Sequence, residues 1–286
     1  MEVSGASKVR VIEETLIDRG KLQVAMIGGF ACGKSTLLKA LLKSDIPGID
    51  CEHTFPVMFK IVAAKEKEEK AFICFKNETV EHKKKEYVPV ELLMKKLTAW
   101  SEVENIIDTI NYIKLSVSDA VLPDNIEIFL CLGGTYYMDS SEQFTEIMKS
   151  CGAIIYSMSA HRLFSREELD YIAGEFKFRN PESVFFVINH YDDVPEDSQE
   201  KFKDYVYSQL HKVYCNRDGK FNKELYQERV FFVDGYGAYC ARTGKPKTIS
   251  FGNISTELPS TGEMTGFPEF AKAFYQFLYT GDRGRR

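Results

Sequence analysis

The chain has 286 residues, of which 44% are hydrophobic and 28% charged, the balance of an ordinary soluble protein with a sizeable core. A net charge of −5 argues against a broad basic face, so no nucleic-acid partner is expected. Seven cysteines without a C-x-x-C pair or metal-like cluster, an N-terminus without an apolar signal core, and no run near the ~18 apolar residues of a membrane span together predict reduced thiols in a cytoplasmic protein.

In chain order, residues 1–20 carry Val9, Ile12, Leu16 and Ile17 at helical spacing and predict an amphipathic lead-in helix. Leu22 to Thr36 then reads as an apolar strand, a glycine-bracketed loop and the first turn of a helix. Gly28, Gly33, Lys34 and Ser35 give the spacing G-x-x-x-x-G-K-S of a phosphate loop. Glycines let such a loop curl so that its N–H groups face inward, and the helix beginning near Lys34 adds its positive end. Gly28, Gly29, Phe30, Ala31, Cys32, Gly33, Lys34, Ser35 and Thr36 are therefore the predicted phosphate socket. Lys34 would reach the β- and γ-phosphates and the Ser35 hydroxyl would bind Mg²⁺.

The helix after the loop stops before Pro47-Gly48, and residues 49–54 read as an exposed loop. Val57 to Ala63 and Ala71 to Phe75 predict a hairpin whose solvated tip is the charge run 65–70, and His82 to Lys85 reads as a second solvated turn, with a membrane or partner patch as the alternative. Helical periodicity covers 88–99 and 102–111. Strands follow at 112–117 and 126–132, the second ending in Gly133-Gly134. From there helices (140–149, 165–178, 195–214, from 236) alternate with strands (153–158, 183–189, 229–233). This is the pattern of an α/β fold with a mostly parallel central sheet covered by helices on both faces, whose ligands sit at the carboxyl ends of the strands. Residues 244–266, rich in Gly, Pro, Ser and Thr, read as a long loop, and 267–286 as a closing helix and tail. No repeat or linker divides the chain, so residues 1–286 are expected to form a single domain.

After the strand Val184 to Ile188 stand Asn189, His190, Tyr191 and Asp192. An Asp carboxylate there accepts from both the ring N–H and the exocyclic amine of guanine, a donor pair that adenine lacks. Asp192 is the predicted base reader. Asn189 would tie its loop to the phosphate loop, and His190 stands where GTPases usually carry Lys. A turn with no base-reading role is the alternative for this tetrapeptide.

These motifs together resemble the GTPase domain of dynamin-like proteins, the bacterial branch in particular. The likeness extends over nearly the whole chain: Lys21 to Leu42 fits the family's opening, Thr54 its switch-one threonine, Asn189 to Asp192 its base motif, and Val230 to Arg242 its fifth motif strand and following helix. The resemblance implies a P-loop GTPase of the dynamin type binding GTP or GDP with Mg²⁺. It also implies Thr54 as a second metal ligand, Gly133 as a γ-phosphate sensor, Asp234 and Gly235 beside the base, and Lys34, Thr54 and Gly133 in catalysis. Two such domains would meet across the nucleotide, as a homo- or heterodimer. Membrane contact would run through regions without a counterpart here, so a fragment and a stand-alone domain both remain open.

Two departures bear on hydrolysis. The family's D-x-x-G carboxylate is replaced by Leu130, and its usual Ser or Asn by Ala31. Losing one such donor costs on the order of a hundredfold in rate. Slow or partner-dependent GTP hydrolysis, a nucleotide-binding switch or scaffold that does not hydrolyse, and, more weakly, an ATP-using P-loop enzyme are the functions left standing.

Overall fold

The computed structural model describes residues 20–46, 49, 57–64, 69–77, 85–102, 106–118, 122–131, 142–177, 179–217, 220–251, 254–258 and 262–280. The lead-in segment 1–19, Thr54, Gly133 and the tail 281–286 lie outside them. Strand β1 (Leu22–Gly28) is apolar and buried along both faces, which requires neighbours on both edges and layers above and below. It pairs in parallel with β6 (Ile126–Cys131) on one side and β7 (Ala153–Ser159) on the other; β8 (Val184–Asn189) and β11 (Val230–Phe232) continue the parallel block. Beyond β6 come β2 (Met58–Ala63), β5 (Ile110–Val117), β3 (Lys70–Phe75) and β4 (Lys85–Val88), completing a nine-stranded sheet in the order β11-β8-β7-β1-β6-β2-β5-β3-β4.

Side-chain alternation divides the core in two. Val24, Met26, Leu130, Ile155 and Phe185 point to one face, where they meet α1 (Lys34–Leu42), α2 (Val90–Ser101), α8 (Gly235–Thr243) and the aromatic stripe Phe267, Phe270 and Phe274 of α9 (Phe267–Thr280). Ala25, Ile27, Phe129, Tyr156 and Phe186 point to the other, under α4 (Glu142–Ser150), α5 (Arg166–Glu175), α6 (Gln199–Val213) and α7 (Lys223–Arg229). The α/β class with helices on both faces is thus the observed one.

Four sequence expectations are corrected. The runs 57–63 and 71–75 do not form a hairpin: β5 lies between them, parallel to β2 and antiparallel to β3. Both flanking strands are largely buried, so each gains a paired edge from the eight-residue β5, and the connection need only span two strand spacings, about 10 Å. Lys85, expected in a solvated turn, begins the edge strand β4, and of the helical reading of 102–111 the described residues hold α3 (Ile106–Thr109), with Ile110 and Asn111 already in β5. The presumed loop 244–266 contains an antiparallel ribbon of β12 (Lys247–Phe251) and β13 (Ile254–Leu258). A second small ribbon, β9 (Asn216–Arg217) with β10 (Lys220–Phe221), and helix α7 also went unforeseen between 214 and 229.

Candidate functional site

Because β1, β7, β8 and β11 run parallel, their carboxyl ends share one edge of the sheet, and register sets Gly28 beside Ser157 and Ser159 beside Asn189. The loop leaving β1 turns through three left-handed residues, Gly28 (φ 144°), Ala31 (φ 54°) and Gly33 (φ 76°). Two of these are glycines for reasons of space as well as angle. A Cβ on Gly28 would lie 2.0 Å from the Ser157 carbonyl oxygen, and one on Gly33 would lie 1.9 Å from Asn189 Nδ2.

The loop is fastened from below. The Cys32 carbonyl accepts hydrogen bonds from Ser157 Oγ (2.8 Å) and Asn189 Nδ2 (3.2 Å), both buried. The peptide is planar and trans, so a carbonyl held toward the sheet turns the N–H of Gly33 the opposite way, into the curl of the loop. Lys34 is only 4% exposed, yet its ammonium is satisfied by the Gly28 and Gly29 carbonyls (3.2 and 2.6 Å) and contacts Cys32 Sγ at 3.7 Å. Its side chain arches back over the loop and its charge is fixed there. Helix α1 begins with no side-chain cap and no acidic residue in its first turn, so its leading N–H groups remain available to an anion. Ser35 is buried at that terminus, Thr36 partly so, while Phe30 and Ala31 are exposed on the outer lip.

Asn189 joins this socket to the next loops. Besides its bond to Cys32, its Oδ1 accepts from the Gly235 backbone N–H at 2.8 Å, at the start of α8. His190 follows in left-handed conformation (φ 60°), with Nδ1 2.9 Å from Ser159 Oγ and its ring stacked on His161 at 5.3 Å between centroids. Its Nε2 lies 3.5 Å from the point that a Gly33 Cβ would occupy, so the imidazole flanks the phosphate loop. Burial, then the neighbouring His161, lower its pKa, against the pull of Asp192, Asp193 and Asp234.

Asp192 lies in the short turn Tyr191–Asp193, and Asp234 caps α8 by accepting from the Gly237 N–H at 2.7 Å. Lys247, from β12, bridges the two carboxylates at 2.7 Å to Asp192 and 2.6 Å to Asp234. Both predicted base-side carboxylates therefore stand together, with a cation between them that sequence reasoning did not select. Ser157, Ser159 and His161 were missed as well; the two serines carried a signal, polar residues at alternate positions in the last turn of an apolar strand. Lys247 carried none, lying in what read as a loop.

Leu130 is wholly buried in the core beside Met26 and packs with the face that meets α1. It offers no oxygen to a metal. The next residue, Cys131, points the other way, and burial pushes its thiol up to about 12 despite the proximity of Lys34. The described cysteines 32, 74, 131, 151, 215 and 240 are all buried free thiols. Among the described residues no group of three His, Cys, Asp or Glu side chains forms a metal centre, and no helix is long and apolar enough to cross a membrane. A divalent ion here would be held by Ser35 together with a bound phosphate, a donor set that suits Mg²⁺.

Residues 24–191 match the sequence model of the dynamin family, more than half of the chain. No curated protein sequence gives a match. Among solved structures, two chains from studies of an oligomerised bacterial dynamin pair, described as sensing and tethering membranes over long range, share this fold. One is 16% identical with a TM-score of 0.66 over 93% of this chain and 39% of its own. The other is 17% identical with a TM-score of 0.65 over 93% and 46%. The chain spans less than half the length of either structure.

Proposed function

The chain belongs to the dynamin family, and from that premise we propose that it is a GTPase domain that binds guanine nucleotide with Mg²⁺ at the carboxyl edge of its sheet. The observation that carries this reading is the double hydrogen bond of Asn189, which couples the phosphate loop at Cys32 to the base-side helix at Gly235. Phosphates would be held by the loop N–H groups, the terminus of α1 and Lys34, with Ser35 on the metal and Thr54, outside the described residues, as a further metal ligand. Asp192 would accept the two N–H donors of guanine, His190 would cover the base edge next to Gly33, and Asp234 and Gly235 would border it.

Hydrolysis is the less supported half of the activity. A leucine at position 130 and an alanine at position 31 remove two polar groups from around the γ-phosphate, leaving Lys34, Thr54 and the backbone of Gly133 to stabilise transferred charge. Turnover is accordingly slow, or completed by groups from a second GTPase domain meeting this one across the nucleotide. The burial of Leu130 in the core favours a second reading as well, a switch that binds GTP without cleaving it.

Titration calorimetry with Mg²⁺ and slowly hydrolysed GTP and ATP analogues, with Lys34→Ala as control, tests the binding. GTP binding that the ATP analogue and the variant both lack is the expected result. Preference for ATP would reduce Asp192 to a turn residue, and binding of neither would remove the nucleotide from the account.

A further inference from the structure

The base side of the site holds a charge arrangement that nucleotide binding by itself does not explain. Lys247 comes from a ribbon 13 residues downstream of Asp234, yet its ammonium lies within 2.7 Å of both Asp192 Oδ2 and Asp234 Oδ2. The chain reaches this point because α8 ends on Gly244 in left-handed conformation (φ 71°), turning the backbone back toward the head of its own helix, where β12 starts. The side chains are 17% exposed for Lys247, 33% for Asp192 and 12% for Asp234. The Lys247–Asp234 pair is therefore partly buried and less screened, while the Lys247–Asp192 pair is open to solvent. Asp234 is fixed by its second oxygen, which caps α8 through the Gly237 N–H. Asp192 has no such hold from its turn, and Lys247 is the cation that orients it.

Guanine presents to a carboxylate two N–H donors, one for each oxygen. With an ammonium 2.7 Å from Oδ2 of Asp192, one of that oxygen's two lone-pair sites is taken and Lys247 competes with a guanine N–H for it. We propose that Lys247 is a latch on the base pocket: in the nucleotide-free chain it occupies Asp192 in place of guanine. Binding of the base transfers Lys247 wholly to Asp234, so the β12–β13 ribbon shifts with nucleotide state. The proposal rests on the reading of Asp192 as the guanine-binding carboxylate. Its consequence is that Lys247 lowers nucleotide affinity and makes the ribbon a reporter of occupancy, a surface through which a second protein could sense the bound state.

The test compares the wild-type chain with Lys247→Met, which keeps the alkyl stem and removes the charge, and with Lys247→Arg, which keeps both. Binding and release of a fluorescent GDP are followed by stopped flow in Mg²⁺, and amide exchange of residues 247–258 is read with and without GDP. A charge-assisted hydrogen bond of this kind corresponds to about a tenfold change in affinity. The expected result is that Lys247→Met binds GDP about tenfold more tightly, mainly through faster association, and that its ribbon exchanges at one rate with or without GDP. In the wild type and Lys247→Arg, GDP alters ribbon exchange. Equal or weaker GDP binding by Lys247→Met, in a variant that melts with the same cooperativity as wild type, overturns the latch and leaves the guanine reading intact. GDP binding by none of the three proteins overturns both. Binding by Lys247→Met alone upholds both, with the latch stronger than estimated.

Discussion

The carbonyl of Cys32 receives two buried donors, Ser157 Oγ and Asn189 Nδ2, and this sharing fixes how the site responds to losing either. Ser157→Ala removes one donor and leaves the other, so it costs only a net hydrogen bond, about 1 kcal/mol. Asn189→Ala also leaves the carbonyl with a partner, but it strips the buried Gly235 N–H of its acceptor and opens a small void. An unsatisfied buried donor adds 1–3 kcal/mol, bringing this variant to about 3 kcal/mol. Only the double variant deprives the Cys32 carbonyl of both donors, and a further penalty of about 1 kcal/mol appears there and nowhere else. Urea unfolding of the four proteins measures the interaction directly. A double variant more destabilised than the sum of the singles by about 1 kcal/mol is expected. Additivity to within about 0.3 kcal/mol, the behaviour of independent sites, would refute the shared anchoring of the loop.

The remaining expectations concern single groups. Gly28→Ala forces a Cβ to 2.0 Å from the Ser157 carbonyl at a φ of 144° and should destabilise the fold by at least ~3 kcal/mol, whereas Gly29→Ala, with nothing within 4 Å of its Cβ, should cost under ~1 kcal/mol; thermal melts of both check the contrast. Burial pushes the Glu168 carboxyl up to about 7, against the Phe164 N–H and Tyr156 hydroxyl that favour the charge. Because the folded value is raised, its stabilising contribution is complete below about pH 4.5 and is lost as pH rises through 7. Glu168→Gln should therefore gain about 2 to 3 kcal/mol on the wild type between pH 5 and pH 8, read from urea unfolding at both; a pH-independent difference refutes it. Lys60 and Glu127 form a buried pair at 3.1 Å, the lysine pulled below its usual pKa by burial despite that partner. Lys60→Met leaves Glu127, among the described residues, with Lys21 at 3.5 Å as its cation and should cost about 3 kcal/mol, most of it regained in Lys60→Met/Glu127→Leu; chemical denaturation of the pair of variants decides.

The parallel half of the sheet was legible because its strands are short apolar runs separated by amphipathic helices, the pattern of βαβ units. The antiparallel half was not. β2 and β3 are adjacent in sequence and carry a charged connection, the local signature of a hairpin, while their true shared partner β5 lies about 40 residues on. Local pattern does not encode such a pairing; satisfaction of both strand edges does. The β12–β13 ribbon was hidden by the surrounding Gly, Pro, Ser and Thr, a composition that reads as loop. In the site, the loop glycines and Lys34 follow from spacing alone. Lys247 does not, because a lone lysine in a polar stretch carries no information until its backbone path is known. Ala31 in left-handed conformation is likewise a feature of the folded loop that composition leaves unstated.

The most direct measurement is a change of base at position 192. Xanthine differs from guanine in carrying a carbonyl in place of the exocyclic amine, so a carboxamide at 192 has a donor for that oxygen and an acceptor for the ring N–H. Competition of GDP and xanthosine diphosphate for the wild-type chain and for Asp192→Asn reads the contact itself, independent of any hydrolysis. Wild type that prefers GDP by about a hundredfold or more, with the preference reversed in Asp192→Asn, is the expected result. Unchanged preference in the variant would contradict Asp192 as the base reader, and with it the assignment of this edge of the sheet as a guanine-nucleotide site.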